Sequence, residues 1–186
     1  TPNQCFDWTA VICGVLISNC LCPAVIAQDG KIVESAPILL SNDEISELAS
    51  NHPGIDAMLR EVQLESMTYL SDGLKVKGFI ARPKNASKTL PCVIYNRGGN
   101  RDFGMLNPFR AALFLGPIAS WNYVVVASNY RGNGGGEGVE EFGGKDIHDV
   151  LNLFPLLESL PNADSSRVGM VGWSRGGMMT CLALAN

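Results

Sequence analysis

A short segment at residues 172–177, Gly-Trp-Ser-Arg-Gly-Gly, constrains the fold of this chain more than any other part of it. It follows a β-branched strand predicted over residues 167–172 and precedes an apolar helix. Glycine at Gly172 and Gly176 permits a sharp strand-to-helix turn, where a side chain would collide with the neighbouring strand or helix. The turn exposes the Ser174 hydroxyl and points the first helical amides toward any bound group. This arrangement is typical of a nucleophile elbow, so we predict that Ser174 is a catalytic nucleophile.

Patterns of strand and helix alternate along the second part of the chain. Residues 63–70 and 74–81 have the period of two that is typical of paired strands, with a hairpin turn between them. Later strands are predicted at residues 92–95, 123–127 and 168–171. One helix is predicted within residues 107–121, around residues 109–115, and another at residues 145–160. The continuous apolar strands indicate burial on both faces of a sheet. We therefore predict an α/β fold with a mostly parallel sheet and helices on both faces.

Residues 28–62 carry helical signals and are predicted to form an amino-terminal segment ahead of the sheet domain at residues 63–186. Ser41 or Asn42 is the expected cap of a first helix. A break at residues 52–54 separates it from a second helix.

The first thirty residues contain no Lys or Arg, and residues 8–27 are mostly apolar. Small or branched side chains at residues 25–27 fit a signal-peptidase site. We therefore expect residues 1–27 to be a cleaved secretory signal and the protein to be secreted or periplasmic. An uncleaved membrane anchor is the alternative, because the run is nearly long enough to span a bilayer. Lipidation at Cys20 or Cys22 is a third alternative.

Four of the six cysteines lie in this leader, which leaves Cys92 and Cys181 in the body of the chain. Both fall in predicted core elements, so we expect free, buried thiols that act as small apolar groups. A disulfide between them is the alternative in an oxidising compartment. The body has no metal-ligand spacing, and we predict neither a metal nor a cofactor. The net charge of -4 and the lack of a basic run argue against a nucleic-acid partner.

A glycine-rich loop follows the strand predicted at residues 92–95. Gly98 and Gly99 let backbone amides point into a site without an intervening Cβ. Such amides, together with the amide of Arg175 next to the serine, would stabilise the negative oxygen of a tetrahedral intermediate. We therefore predict an oxyanion hole from the backbone of Gly98, Gly99 and Arg175. The Arg175 side chain is expected to be a surface or ion-pairing group.

A second glycine-rich loop, at residues 129–138, follows the strand at residues 123–127. We expect Arg131 to form a buried ion pair that fixes this loop. Phosphate binding is disfavoured, because the loop lacks the Gly-Lys-Ser/Thr ending of a nucleotide-binding loop.

Three segments in this order and spacing, residues 129–138, 146–150 and 172–177, resemble the catalytic domain of the prolyl oligopeptidase family of serine peptidases. The resemblance covers about residues 63–186. It implies an α/β-hydrolase fold, Ser174 as the nucleophile and an oxyanion hole near residues 97–99. The chain has Arg97-Gly98-Gly99-Asn100 where the family often has His-Gly-Gly-Pro.

The two histidines, His52 and His148, are poorly placed to act as the general base. In this architecture the acid and the histidine of the triad follow the serine in the chain. We expect both histidines to be exposed or locally hydrogen-bonded, and Asp146 and Asp149 to complement a helix dipole. We also expect the sequence to be an amino-terminal fragment, truncated after the nucleophile helix and nearly inactive alone.

The sequence therefore predicts a serine hydrolase that forms an acyl-enzyme on Ser174. Peptides are the first expected substrate class, on the family resemblance. A carboxylic ester hydrolase is the alternative, because the chemistry is the same and no β-propeller precedes the catalytic part. A non-catalytic binding protein without the triad is a hypothesis of another class. The expected partner is a peptide or small acyl substrate, with membrane contact only through residues 1–27 if they are uncleaved.

Overall fold

The structure is a computed structural model that describes residues 28–186. The expected leader at residues 1–27, with its four cysteines, lies outside the described residues. Between residues 28 and 186, no helix has the length and apolar character that a membrane crossing requires.

Strands and helices alternate along the described residues. The strands are β1 (Ile32–Pro37), β2 (Val62–Ser71), β3 (Leu74–Pro83), β4 (Leu90–Asn96), β5 (Val124–Ser128) and β6 (Ala163–Gly172). The helices are α1 (Asn42–Asn51), α2 (Ile55–Glu61), α3 (Pro108–Ser120), α4 (Ile147–Leu151), α5 (Leu153–Ser159) and α6 (Arg175–Leu184).

The strands form a mixed sheet in the order β1-β2-β3-β5-β4-β6. The pairs β1–β2, β2–β3 and β3–β5 are antiparallel, whereas β5–β4 and β4–β6 are parallel. The predicted α/β class is confirmed, but the prediction of a mostly parallel sheet is wrong for residues 28–186. The β2–β3 hairpin causes the difference, because it pairs with β5 in the antiparallel direction.

Helices cover both faces of the sheet, as predicted. On one face α4, α5 and α6 pack over an apolar cluster that includes Val126, Leu157 and Met179. On the other face α1, α2 and α3 pack over a second cluster that includes Val125 and Leu115. Strand β5 is buried at every position and sends alternate side chains into the two clusters. Its burial explains the continuous apolar run in the sequence.

The amino-terminal segment expected to be helical also contains a strand. Strand β1 pairs with β2 at the edge of the sheet, and its residues are mostly exposed. An exposed strand needs no apolar pattern, so no pattern in this segment indicated a strand. Helix α1 begins as predicted, with a capping box. The Ser41 Oγ accepts the Glu44 N–H, and the Glu44 carboxylate accepts the Ser41 N–H.

The long amphipathic helix predicted at residues 145–160 is instead two short helices, α4 and α5, that meet at Asn152. Pro155 has no N–H to donate to the Leu151 carbonyl, so the helical hydrogen-bond ladder is interrupted there. The Asn152 amide donates to Ser71 Oγ over 3.0 Å and ties the junction to β2.

Strand β6 is at its predicted place in the chain, but the prediction that it is buried is wrong. It pairs with β4 and forms an edge of the sheet in the described residues, where Val171 is 42 % exposed. Cys92 is free and buried, as expected, whereas Cys181 is free but exposed. Cys181 lies on α6, and the solvent-facing side of that helix gives it no core to enter.

The predicted buried ion pair of Arg131 is present, and its partner is Asp149. The guanidinium donates to the Asp149 carboxylate over 2.8–3.2 Å, and its Nη2 also lies 2.8 Å from Asp72. The helix-dipole role expected for Asp149 does not account for its contacts. This carboxylate is fully buried, and it accepts a hydrogen bond from the Ser71 hydroxyl as well as from Arg131. His148 is locally bonded, as expected: its Nδ1 lies 2.7 Å from Asp72.

We expect Asp149→Asn to lower the free energy of unfolding by about 3–5 kcal/mol, because a buried arginine then loses a charged partner. Asp164→Asn is the matched control, since the Asp164–Arg167 pair lies at the surface and should contribute little to stability. Urea unfolding followed by circular dichroism measures both. Equal losses in the two variants would contradict the structural role given to Asp149.

Candidate active site

Ser174 lies at the junction of β6 and α6, in a backbone conformation that L-residues rarely adopt. Its φ is 55° and its ψ is -120°. The turn is closed by the amide of Gly176, which donates to the Trp173 carbonyl over 2.8 Å. The Ser174 side chain is exposed at the apex of this turn. The local geometry is that of a strand–turn–helix elbow, as the sequence predicted.

The two elbow glycines lie where the chain passes closest to itself. A Cβ on Gly176 would overlap the Asn96 carbonyl at the end of β4, and a Cβ on Gly172 would overlap the Gly176 carbonyl. Both positions therefore exclude a side chain. The absence of side chains lets the first turn of α6 rest directly on the carboxyl end of β4.

The Gly98 loop (residues 97–104) runs alongside the elbow. A Cβ on Gly98 would lie 2.8 Å from the Trp173 carbonyl oxygen and 3.4 Å from the Ser174 Cβ. The backbone amides of Gly98, Gly99 and Arg175 have no hydrogen-bond partner within residues 28–186. Unpaired amides beside a serine are the donors that an oxyanion hole requires. The structure thus brings the predicted donor residues and Ser174 together at one end of the parallel strands.

A cavity of about 540 Å³ opens next to Ser174. Its walls are mostly apolar and aromatic, with two arginines among them. The lining residues are Tyr95, Arg97, Gly98, Gly99, Phe103, Gly104, Leu106, Arg110, Phe114, Trp173 and Ser174. Trp173 is 78 % exposed and forms a wall beside the serine. A cavity of this size and character can hold an apolar side chain or acyl group.

Two arginines near the elbow, Arg97 and Arg175, are buried. No pattern in the sequence had indicated the burial of Arg97. The Arg97 guanidinium donates to the Asn129 carbonyl over 2.9 and 3.1 Å. The Arg175 side chain forms ion pairs with Asp146 and Glu140, so of the two expected roles it has the ion-pairing one. Asp146 therefore neutralises a buried charge, which the dipole role expected for it did not include.

One aromatic ring contacts both guanidinium groups. The Tyr130 ring centroid is 4.9 Å from the Arg97 Cζ and 4.7 Å from the Arg175 Cζ. Such contacts favour a cation over the face of the ring. Burial lowers the pKa of Arg175 to about 10, and burial also lowers the pKa of Arg97. Arg175 nevertheless remains protonated at neutral pH, so both arginines need buried negative partners.

The histidines lie elsewhere in the structure. His148 is bound to Asp72 at the β2–β3 turn, and His52 lies between α1 and α2. Within residues 28–186, neither histidine is hydrogen-bonded to Ser174. In the same part of the chain, no cluster of His, Cys, Asp and Glu side chains could hold a metal ion.

The sequence was also compared with known proteins. Residues 109–186 match the prolyl oligopeptidase family. The chain is also 42 % identical, over 123 residues, to the uncharacterized peptidase YtmA of Bacillus subtilis (strain 168). This match covers 66 % of the chain and 46 % of YtmA. The predicted resemblance to the prolyl oligopeptidase family is confirmed.

Solved structures similar to this chain include both an esterase and a peptidase. The rice cell wall degrading esterase LipA from Xanthomonas oryzae has a TM-score of 0.62 and 18 % identity, over 84 % of this chain and 45 % of LipA. An acylaminoacyl peptidase bound to Z-Gly-Gly-Phe-chloromethyl ketone has a TM-score of 0.54 and 29 % identity, over 68 % of this chain and 21 % of that one. The chain therefore spans less than half the length of these relatives. The predicted α/β-hydrolase fold is confirmed.

We expect Gly98→Ala to slow covalent labelling by a serine-directed phosphonate by about 10-fold or more, because the new Cβ displaces the oxyanion donors. Gly169→Ala in β6 is the matched control, since its Cβ would meet no atom closer than 4.0 Å. Labelling rates are measured on both variants of the complete gene product, with circular dichroism as a check on folding. Wild-type labelling by a folded Gly98→Ala protein would contradict the geometry.

Proposed function

We propose that the protein is a serine hydrolase in which the Ser174 Oγ attacks the carbonyl carbon of its substrate. The observation that carries this proposal is the position of the strained, exposed Ser174 beside the amides of Gly98, Gly99 and Arg175, which have no partner among residues 28–186. The match of residues 109–186 to the prolyl oligopeptidase family supports the same reaction class.

The geometry supports a two-step reaction. Attack by Oγ gives a tetrahedral intermediate, whose negative oxygen accepts hydrogen bonds from the Arg175 amide and from the Gly98 or Gly99 amide. Loss of one such donor typically costs about 2.7–4 kcal/mol of transition-state stabilisation. The intermediate collapses, the leaving group departs with a proton, and an acyl-enzyme on Ser174 remains. Water then attacks the acyl carbon, which releases the acid and restores the serine hydroxyl.

The serine hydroxyl needs a base to become a good nucleophile at neutral pH. We do not assign that role to His52 or His148, because neither is bonded to Ser174 in the described residues. In this fold the acid and the histidine follow the serine in chain order. We therefore propose to assay the product of the complete gene.

Peptides are the proposed substrates. The relatives include proteins named as peptidases, and the aromatic cavity beside Ser174 fits an apolar side chain next to the scissile bond. Carboxylic esters are the second candidate, which the likeness to the esterase LipA and the exposed position of Ser174 favour. Both reactions use the same nucleophile and the same oxyanion donors.

Ser174→Ala should abolish phosphonate labelling and all substrate turnover, because the attacking oxygen is removed. Ser166→Ala is the matched control: Ser166 is an exposed serine of β6, and its loss should leave labelling unchanged. Labelling is measured by intact-protein mass spectrometry. Persistent labelling of the Ser174→Ala protein would overturn the assignment of the nucleophile.

A matched pair of substrates separates the two substrate classes. We expect the protein to hydrolyse both the p-nitroanilide and the p-nitrophenyl ester of N-acetylphenylalanine, with Ser174 required for each. The anilide has the more demanding leaving group, so its turnover marks a peptidase. Turnover of the ester with none of the anilide would favour the ester hydrolase instead.

A further inference from the structure

A buried carboxylate that the proposed reaction does not use lies behind the candidate oxyanion hole. The Glu140 side chain is only 5 % exposed. Its Oε2 accepts the backbone N–H of Arg101 over 2.9 Å and the Asn133 amide over 2.7 Å. Arg101 belongs to the Gly98 loop and Asn133 to the second glycine-rich loop, so Glu140 joins the two loops.

The same carboxylate contacts both buried arginines. Its Oε2 lies 3.7 Å from Arg97 Nη2, and its Oε1 contacts Arg175 Nη1. Each arginine also donates a hydrogen bond to a carbonyl of the Gly98 loop. Arg97 Nη1 donates to the Gly98 carbonyl over 3.1 Å, and Arg175 Nη1 donates to the Gly99 carbonyl over 3.3 Å. Glu140 is thus linked, through one side chain each, to the two glycines whose amides lie unpaired beside Ser174.

The charges make this arrangement sensitive to Glu140. Both guanidinium groups lie against the Tyr130 ring, and two positive charges held this close would repel one another without negative partners. Asp146 pairs with Arg175, which leaves Glu140 as the carboxylate that reaches both arginines. Neutralising Glu140 leaves a net positive charge in a buried site, and the arginines can then separate and move the carbonyls they hold.

We propose that Glu140 is a positioning residue for the oxyanion hole, acting through Arg97 and Arg175 on the backbone of Gly98, Gly99 and α6. The inference rests on the proposed serine hydrolase function. Glu140 does not line the cavity beside Ser174, so it has no direct contact with substrate. We expect its main effect to be on the transition state, where the oxyanion forms.

The test compares steady-state kinetics of Glu140→Gln, Glu140→Asp and wild type, each as the complete gene product. We expect Glu140→Gln to lower kcat by about 10- to 100-fold with KM within about twofold, since a donor lost only in the transition state changes kcat. Glu140→Asp retains the charge and should recover part of that loss. The phosphonate labelling rate should fall in parallel with kcat.

Glu65→Gln is the matched control for loss of an ion pair. It breaks the partly buried Glu65–Arg82 pair, whose N–O distance is 2.6 Å, between β2 and β3 and away from the cavity residues. We expect this variant to be less stable to urea and to have the kcat of wild type.

Unchanged kcat in a folded Glu140→Gln protein would overturn the proposal, as would equal kcat losses in the Glu140 and Glu65 variants. If Glu140→Gln does not fold, Glu140→Asp decides: a lower kcat at unchanged KM supports the proposal, and a wild-type kcat overturns it. If wild type itself is labelled at a residue other than Ser174, the proposed function fails, and this inference fails with it. Labelling at Ser174 with no Glu140 effect overturns the positioning role alone.

Discussion

The site depends on one close approach between two backbones, the first turn of α6 and the end of β4. Gly176 has no room for a Cβ because the Asn96 carbonyl occupies that space. The Gly98 loop leaves β4 directly after Asn96, so the same contact sets that loop beside the elbow. The positive φ of Ser174 is the local cost of this turn. The packing of α6 on the apolar cluster through Met179 holds the strained conformation in place.

Buried charge is the second constraint on this region. Arg97 and Arg175 fill the space behind the Gly98 loop and place donors where loop carbonyls would otherwise be unsatisfied. Their burial has to be balanced by carboxylates, and Glu140 and Asp146, which follow the second glycine-rich loop in the chain, supply them. These two carboxylates thus stabilise a site whose cavity they do not line. Family likeness alone did not assign this role to them.

Local patterns predicted the elements, and long-range contacts decided what the patterns could not. The glycine spacing around Ser174 and the apolar run of β5 depend on steric and packing requirements within a few residues. The elbow and the buried strand could therefore be predicted from the sequence. The exposure of β6 follows from strand order, and the exposed β1 needs no apolar pattern. The contacts of Glu140 with Arg97 and Arg175 join separate loops, and a single sequence holds no local sign of them.

A crystal structure of the complete gene product, covalently modified by a serine-directed phosphonate, would test the proposed nucleophile and oxyanion hole most directly. We expect phosphorus to be bonded to Ser174 Oγ, with a phosphonyl oxygen within about 2.7–3.1 Å of the Arg175 amide and of the Gly98 or Gly99 amide. We also expect Glu140 to contact both Arg97 and Arg175 in that structure. A phosphonyl oxygen directed to solvent, or an adduct on another residue, would contradict the assignment of Ser174 and its oxyanion hole.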